Sequence, residues 1–138
     1  MVDFYSENDF ELTYKDELEE WVISTIVREG HEVGEISYIF CDDEFLLRIN
    51  QDFLDHDTYT DIITFNYNLG KQVNSEIYIS TERVKDNSVE FNTTFTDELH
   101  RVMIHGILHL CGYGDSTEDE KLVMRTKENE ALEARGFV

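Results

Sequence analysis

Apolar side chains alternate at every second position only in the middle of this chain, and helical spacing holds on both sides of that stretch. Glu32 to Asp42 alternates around Val33, Ile36, Tyr38 and Phe40. Asp61 to Tyr67 carries Ile62, Ile63, Phe65 and Tyr67, and Ser75 to Ser80 carries Ile77 and Ile79. Each run predicts a strand. Ahead of them, residues 14 to 29 space Leu18, Trp21, Val22, Thr25 and Ile26 as a helix would, with Gly30 as a stop. A second helix is predicted over Asp43 to Leu54, with Phe45, Leu46, Ile49 and Phe53 on one face, and Asn68, Leu69 and Gly70 turn the chain between the last two strands. From Thr81 onward the chain reads as helical. One segment covers residues 81 to 90. The next helix is capped by Thr96, carries Asp97 and Glu98 at the positive end of its dipole, and stops at Gly112. A polar helix from about Glu118 to Ala134 is opened by Ser116 or Thr117 and closed by Gly136. Helices before, between and after a few strands, without regular strand-helix alternation, predict an α+β fold: a small mixed sheet packed with helices.

The chain has 138 residues, 41% of them hydrophobic, enough for one sizeable core and too few for two ordinary domains. It shows no internal repeat, no linker-like stretch and no proline, so residues 1–138 are expected to form a single domain. No run approaches the 18 or so apolar residues of a membrane span, and the amino terminus lacks the basic start and apolar run of a leader. A cytoplasmic protein without membrane attachment is expected. Cys41 and Cys111 form no disulfide framework or CxxC knuckle and are expected to be small buried hydrophobes. Eleven basic against 31 acidic residues give a formal net charge of −20, which argues against a general nucleic-acid coat protein. Action on RNA would need a local basic cleft, a bound metal ion, or a partner that presents the strand.

The stretch from His105 to Asp115 carries the chemistry. Side chains four apart on a helix lie about 5 to 6 Å apart at Cβ, which suits His105 and His109 as two imidazoles converging on one ion at about 2.0 to 2.1 Å. Ending the helix at Gly112 lets Gly112, Tyr113 and Gly114 return Asp115 to the same point, completing the spacing HxxxHxxGxxD. Two nitrogens and one carboxylate oxygen then leave a fourth position open, and zinc is the expected single divalent ion, although iron, nickel and manganese suit the same donors. His31, His56 and His100 have no such partners and are expected to be surface or capping residues. Gly106 costs about 1 kcal/mol relative to alanine in a helix interior, which implies a need for space or close backbone approach. It also stands where HExxH peptidases carry their glutamate base, so peptide hydrolysis by that mechanism is disfavoured.

At these residues the sequence resembles the YbeY family, the bacterial endoribonucleases of ribosomal-RNA maturation, whose signature reads roughly HGxLHLxGYDH. His105 to Tyr113 match it, whereas Gly114 and Asp115 stand where the family commonly has Asp and His. Asp115 keeps the spacing of the third ligand, and that role is carried over to it. Asn50 to Phe65 is similar to the family's LNxxYRxxDxPTDVLSF, and Ser75 to Ser80 to its GDIxIS strand, so the resemblance spans about residues 46 to 115. Leu54 takes the place of an arginine thought important for catalysis in the family, and Tyr59 the place of the motif's proline. Thr60, Asp61, Thr64 and Phe65 could shape the strand or touch substrate.

The resemblance implies a metal-dependent, single-strand-specific endoribonuclease in small-subunit ribosomal-RNA 3′-end maturation and ribosome quality control. Its expected partners are ribosomal RNA and the small ribosomal subunit or associated factors, with no nucleotide cofactor. The residues alone support a narrower statement: a metal with an open position can polarise a phosphoryl oxygen and acidify water, and no general base is identified. Two other classes remain, a zinc hydrolase of peptides or small molecules and a non-catalytic ribosome-assembly protein with a structural metal.

Overall fold

The computed structural model describes residues 1–54 and 59–138. The elements run β1 (Val2–Ser6), α1 (Lys15–Arg28), β2 (Glu32–Cys41), α2 (Asp43–Leu54), β3 (Ile62–Asn66), β4 (Gln72–Ser80), α3 (Thr81–Glu90), α4 (Phe95–Leu110) and α5 (Glu118–Glu133). The four strands form one mixed sheet in the order β1-β2-β4-β3, in which β1, β2 and β4 are parallel and β3 runs antiparallel to β4. The architecture is the α+β mixed sheet with helices that the periodicities predict.

Side chains alternate between the two faces of this sheet and find different partners. Ile36, Tyr38 and Phe40 of β2 and Val73, Ile77 and Ile79 of β4 join the main core with Leu18, Val22 and Ile26 of α1 and Met103, Ile104, Ile107 and Leu108 of α4. On the opposite face Cys41 and Ile63 pack with Leu46 of α2 in a smaller cluster, joined by Phe45, Ile49, Phe65 and Tyr78. The α4 helix is apolar on most of its circumference because it is enclosed: the sheet lies under it, α5 packs over it, and Tyr38 Oη donates to the Met103 carbonyl at 2.9 Å. Trp21 Nε1 donates to the Ala131 carbonyl at 2.8 Å and ties α5 to α1.

Several details differ from the sequence reading. The strand β1 was not expected; its register, Val2 opposite Ile36 and Phe4 opposite Tyr38, is set by pairing with β2. Thr94, not Thr96, caps α4, with its hydroxyl accepting from the Asp97 amide at 3.1 Å, and this earlier start brings Phe95 against the core. Thr117 and Glu120 form a capping box at the start of α5, which ends at Glu133, three residues before Gly136. Phe53 does not join the buried face of α2 but is 70% exposed. Cys41 is buried and Cys111 half-buried, and burial pushes their thiols up to about 12 and about 11. His31 is half-buried, with Nδ1 3.0 Å from the Glu29 carbonyl, and His56 lies outside the described residues. His100 is neither a surface nor a capping residue: it is buried beside Trp21 and Phe137, and Arg135 donates to its Nδ1 at 2.8 Å.

Candidate metal centre

The site is built where α4 ends against β3. An ideal Cβ on Gly106 would meet Ile62 Cδ1 at 3.0 Å and Thr64 Oγ1 at 3.1 Å, so the missing side chain lets the helix lie this close to the strand. The close approach sets His105 and His109 beside Thr60, Asp61, Thr64 and Asn66, and together with Asp115 these line a cleft of about 430 Å³. The upstream segment therefore reaches the histidines through Thr60, Asp61 and Thr64, whereas Phe65 packs on the other face of the sheet. Leu54 lies at the end of α2, 42% exposed, outside the cleft lining. Residues 55–58 of the same motif lie outside the described residues.

Beyond the helix the chain reverses on Gly112, at φ 104°. Its amide bonds to the His109 carbonyl at 3.0 Å and that of Tyr113 to the Leu108 carbonyl at 3.0 Å, the double closure of a Schellman turn. Tyr113 Oη donates to Glu29 Oε1 at 2.6 Å, anchoring the turn to the end of α1. Asp115 is thereby returned to the histidines. His109 Nε2 lies 3.0 Å from His105 Nε2 and 3.2 Å from Asp115 Oδ2, and His105 Nε2 lies 3.4 Å from that same oxygen.

These three atoms fit a divalent ion. Bonds of about 2.0 to 2.1 Å at tetrahedral angles separate donors by about 3.3 to 3.4 Å, close to the triangle observed. The remaining ring nitrogens fix the tautomers. His105 Nδ1 is 2.7 Å from Glu128 Oε2 and His109 Nδ1 is 2.8 Å from the Tyr113 carbonyl, both acceptors, so each Nδ1 carries the proton and each Nε2 presents a lone pair. With both imidazoles neutral, two lone pairs and a carboxylate oxygen turn toward one point, the donor set that a divalent cation takes. His105, His109 and Asp115 could therefore hold a metal ion.

Glu128 was not singled out from the sequence. Its Oε2 takes His105 Nδ1, its Oε1 takes Arg101 Nη1 at 2.9 Å, and Arg101 Nη2 continues to Asn129 Oδ1 at 2.9 Å. Burial alone would raise the Glu128 carboxyl, but the bonds from His105 and Arg101 outweigh it and hold the group below its ordinary value. For His105, burial disfavours the imidazolium while Glu128, Asp115 and Asp61 favour it, and the balance lies above the ordinary value. Asp61, across the cleft, is pushed up by burial against the opposing charge of His105. The one signal for Glu128 in the sequence is its spacing with Met124 and Ala131, the other buried positions of an otherwise polar helix.

A small α+β domain with two imidazoles and one carboxylate converging in an open cleft defines the class: a candidate metal-dependent hydrolase. A family model described as endoribonuclease YbeY matches residues 3–136. The endoribonuclease YbeY of Christiangramia forsetii is 52% identical over 131 residues, covering 95% of this chain and 92% of that protein. That of Flavobacterium psychrophilum is 51% identical over 132 residues, covering 96% and 94%. The solution structure of TM1509 from Thermotoga maritima superposes with a TM-score of 0.70 at 31% identity, covering 96% of this chain and 87% of that one. The chain belongs to the endoribonuclease YbeY family. No helix among the described residues is long and apolar enough to cross a membrane.

Proposed function

We propose that this protein is a metal-dependent, single-strand-specific endoribonuclease, acting in the cytoplasm on ribosomal RNA in 3′-end maturation and quality control of the small ribosomal subunit, and that residues 1–138 form one catalytic domain. The observation that carries the reading is the triangle of two imidazole nitrogens and a carboxylate oxygen in the cleft, in a chain whose relatives at about half identity are named endoribonucleases. His105, His109 and Asp115 are its metal ligands, and zinc is the ion that two imidazoles and a carboxylate with an open position favour. A structural zinc is usually closed by four protein ligands, and the grouping found among the described residues has three.

An ion held there would supply a Lewis acid for a phosphoryl oxygen and positive charge against that building on the phosphate. The chain supplies the rest. Glu128 and the Tyr113 carbonyl keep both imidazoles turned with Nε2 into the cleft. Thr60, Thr64 and Asn66 offer hydroxyl and amide groups along one wall for the sugar and phosphate of a strand. Asp61 is the carboxylate of the cleft lining that stands outside the ligand triangle, placed to carry a proton beside the ion. It takes the role that the missing glutamate at position 106 leaves open.

The test pairs elemental analysis of the purified protein with cleavage assays on single-stranded ribosomal RNA, peptides and esters under the same metal conditions. One equivalent of zinc and cleavage confined to RNA, both lost in His105→Ala, are expected. Hydrolysis of peptides or esters in place of RNA would overturn the substrate assignment, and a fully occupied metal in His105→Ala would overturn the ligands.

A further inference from the structure

We propose that Lys121 and Arg125, one turn apart on α5, hold backbone phosphates of the RNA strand next to the metal centre; the inference rests on the RNA-cleaving reading above. They line, with His105, Asp115, Met124 and Glu128, a second cleft of about 260 Å³ that shares His105 and Asp115 with the first. A strand crossing the ligand triangle continues into it. Residues four apart share one face of a helix, so both cations border the same path.

Charge makes this place less repellent to a phosphate than the chain as a whole. The whole chain carries −20, and its surface repels a polyanion. In this cleft Lys121 and Arg125 offset Asp115 and Glu128, a formal sum of zero with His105 neutral, which a bound divalent ion would make positive.

The two cations are held less tightly than the arginines that meet a carboxylate at hydrogen-bond distance. Arg83, Arg101 and Arg135 meet carboxylates at 2.8, 2.9 and 3.0 Å. Lys121 Nζ stands 3.8 Å from Glu118 and Arg125 Nη1 3.8 Å from Glu128, with side chains 58% and 60% exposed. Those separations exceed a hydrogen bond, and exposed pairs of this kind contribute little, so a phosphate can recruit both heads without breaking a strong contact. An arginine and a lysine are suited to the task, the first by its forked donors and the second as a compact charge.

The test measures binding of a fluorescein-labelled, 2′-O-methylated single-stranded oligonucleotide to the zinc-loaded full chain by anisotropy, between about 50 and 200 mM salt. The double variant Lys121→Ala, Arg125→Ala is compared with Lys15→Ala, Lys85→Ala, which removes the same charge elsewhere. The α5 variant is expected to weaken binding about 10- to 100-fold and to flatten the slope of log affinity against log salt by about 1.4, two single-strand phosphate contacts. The control pair should shift binding far less, and zinc affinity should be unchanged in both. With an unmodified strand the α5 variant should raise KM and leave kcat little altered. If the parent cleaves RNA and both double variants bind it alike, the phosphate site is refuted and the nuclease reading stands. If the parent neither binds nor cleaves RNA, both fall.

Discussion

Glu128→Gln tests how far the proposed metal centre depends on a residue outside its ligand set. The carboxylate has two oxygens and two donors facing it, His105 Nδ1 at 2.7 Å and Arg101 Nη1 at 2.9 Å, on a side chain only 7% exposed. Glutamine offers one acceptor and one donor, so whichever way the amide turns, one N–H faces another. Arg101 keeps Asn129 as a second partner, so the amide oxygen should turn to His105 and leave its nitrogen against the guanidinium. That orientation preserves the tautomer but removes the negative charge that strengthens the imidazole as a donor. Outer partners of this kind are worth about 10- to 100-fold in metal affinity, or about 1.4 to 2.7 kcal/mol. Zinc affinity should fall about tenfold in Glu128→Gln and about a hundredfold in Glu128→Ala, where His105 loses its orienting acceptor altogether. Competition against a chromophoric chelator measures both values, and thermal melts of the metal-free proteins report the separate loss at Arg101. Parent-like zinc affinity in both folded variants would refute the argument.

Asp115→Ala should weaken zinc binding sharply by leaving two protein ligands, and Asp115→His should retain binding; equal affinity of the alanine variant and the parent in chelator competition would remove Asp115 from the ligand set. Asp61→Asn should lower RNA cleavage about 10²- to 10⁴-fold at unchanged zinc affinity, as loss of a proton carrier does, and undiminished turnover would show that protons leave by another route. His100 gives a pH dependence that denaturant melts of the metal-free protein can follow. Burial, with Arg135 beside it, lowers its pKa from 6.5 to about 4, so the unfolded chain takes up the proton first as pH falls. Its contribution is complete above about pH 6.5 and is lost toward pH 4, up to about 3 kcal/mol, and His100→Phe should flatten that part of the profile.

What the sequence made legible follows the range of the interaction. The triangle of His105, His109 and Asp115 was readable because helix period and one glycine turn suffice to bring the three together. The strands and helices with strong periodicity were readable for the same reason. β1 has five residues, too few for alternation to distinguish it, and its identity as a strand comes from partners more than thirty residues away. His100 looked like a surface residue because only tertiary packing supplies Trp21, Phe137 and Arg135. Glu128 was hidden among the many acids of α5, since its value to the site depends on α5 folding back along α4.

The closeness of the three donors in sequence also shapes how a metal would act on stability. They fall within eleven residues, so the unfolded chain keeps a short, floppy chelate of its own. Ion bound to that denatured segment offsets part of the stabilisation that folded-state affinity would confer. The margin between the two states resides in what unfolding dissolves: Glu128 at 23 residues' remove from His105, the closed turn at Gly112, and the anchor from Tyr113 to Glu29, 84 residues earlier. Zinc should therefore raise the melting temperature by less than its dissociation constant from the native protein implies, and a denatured chain released in the cell would still compete for the ion.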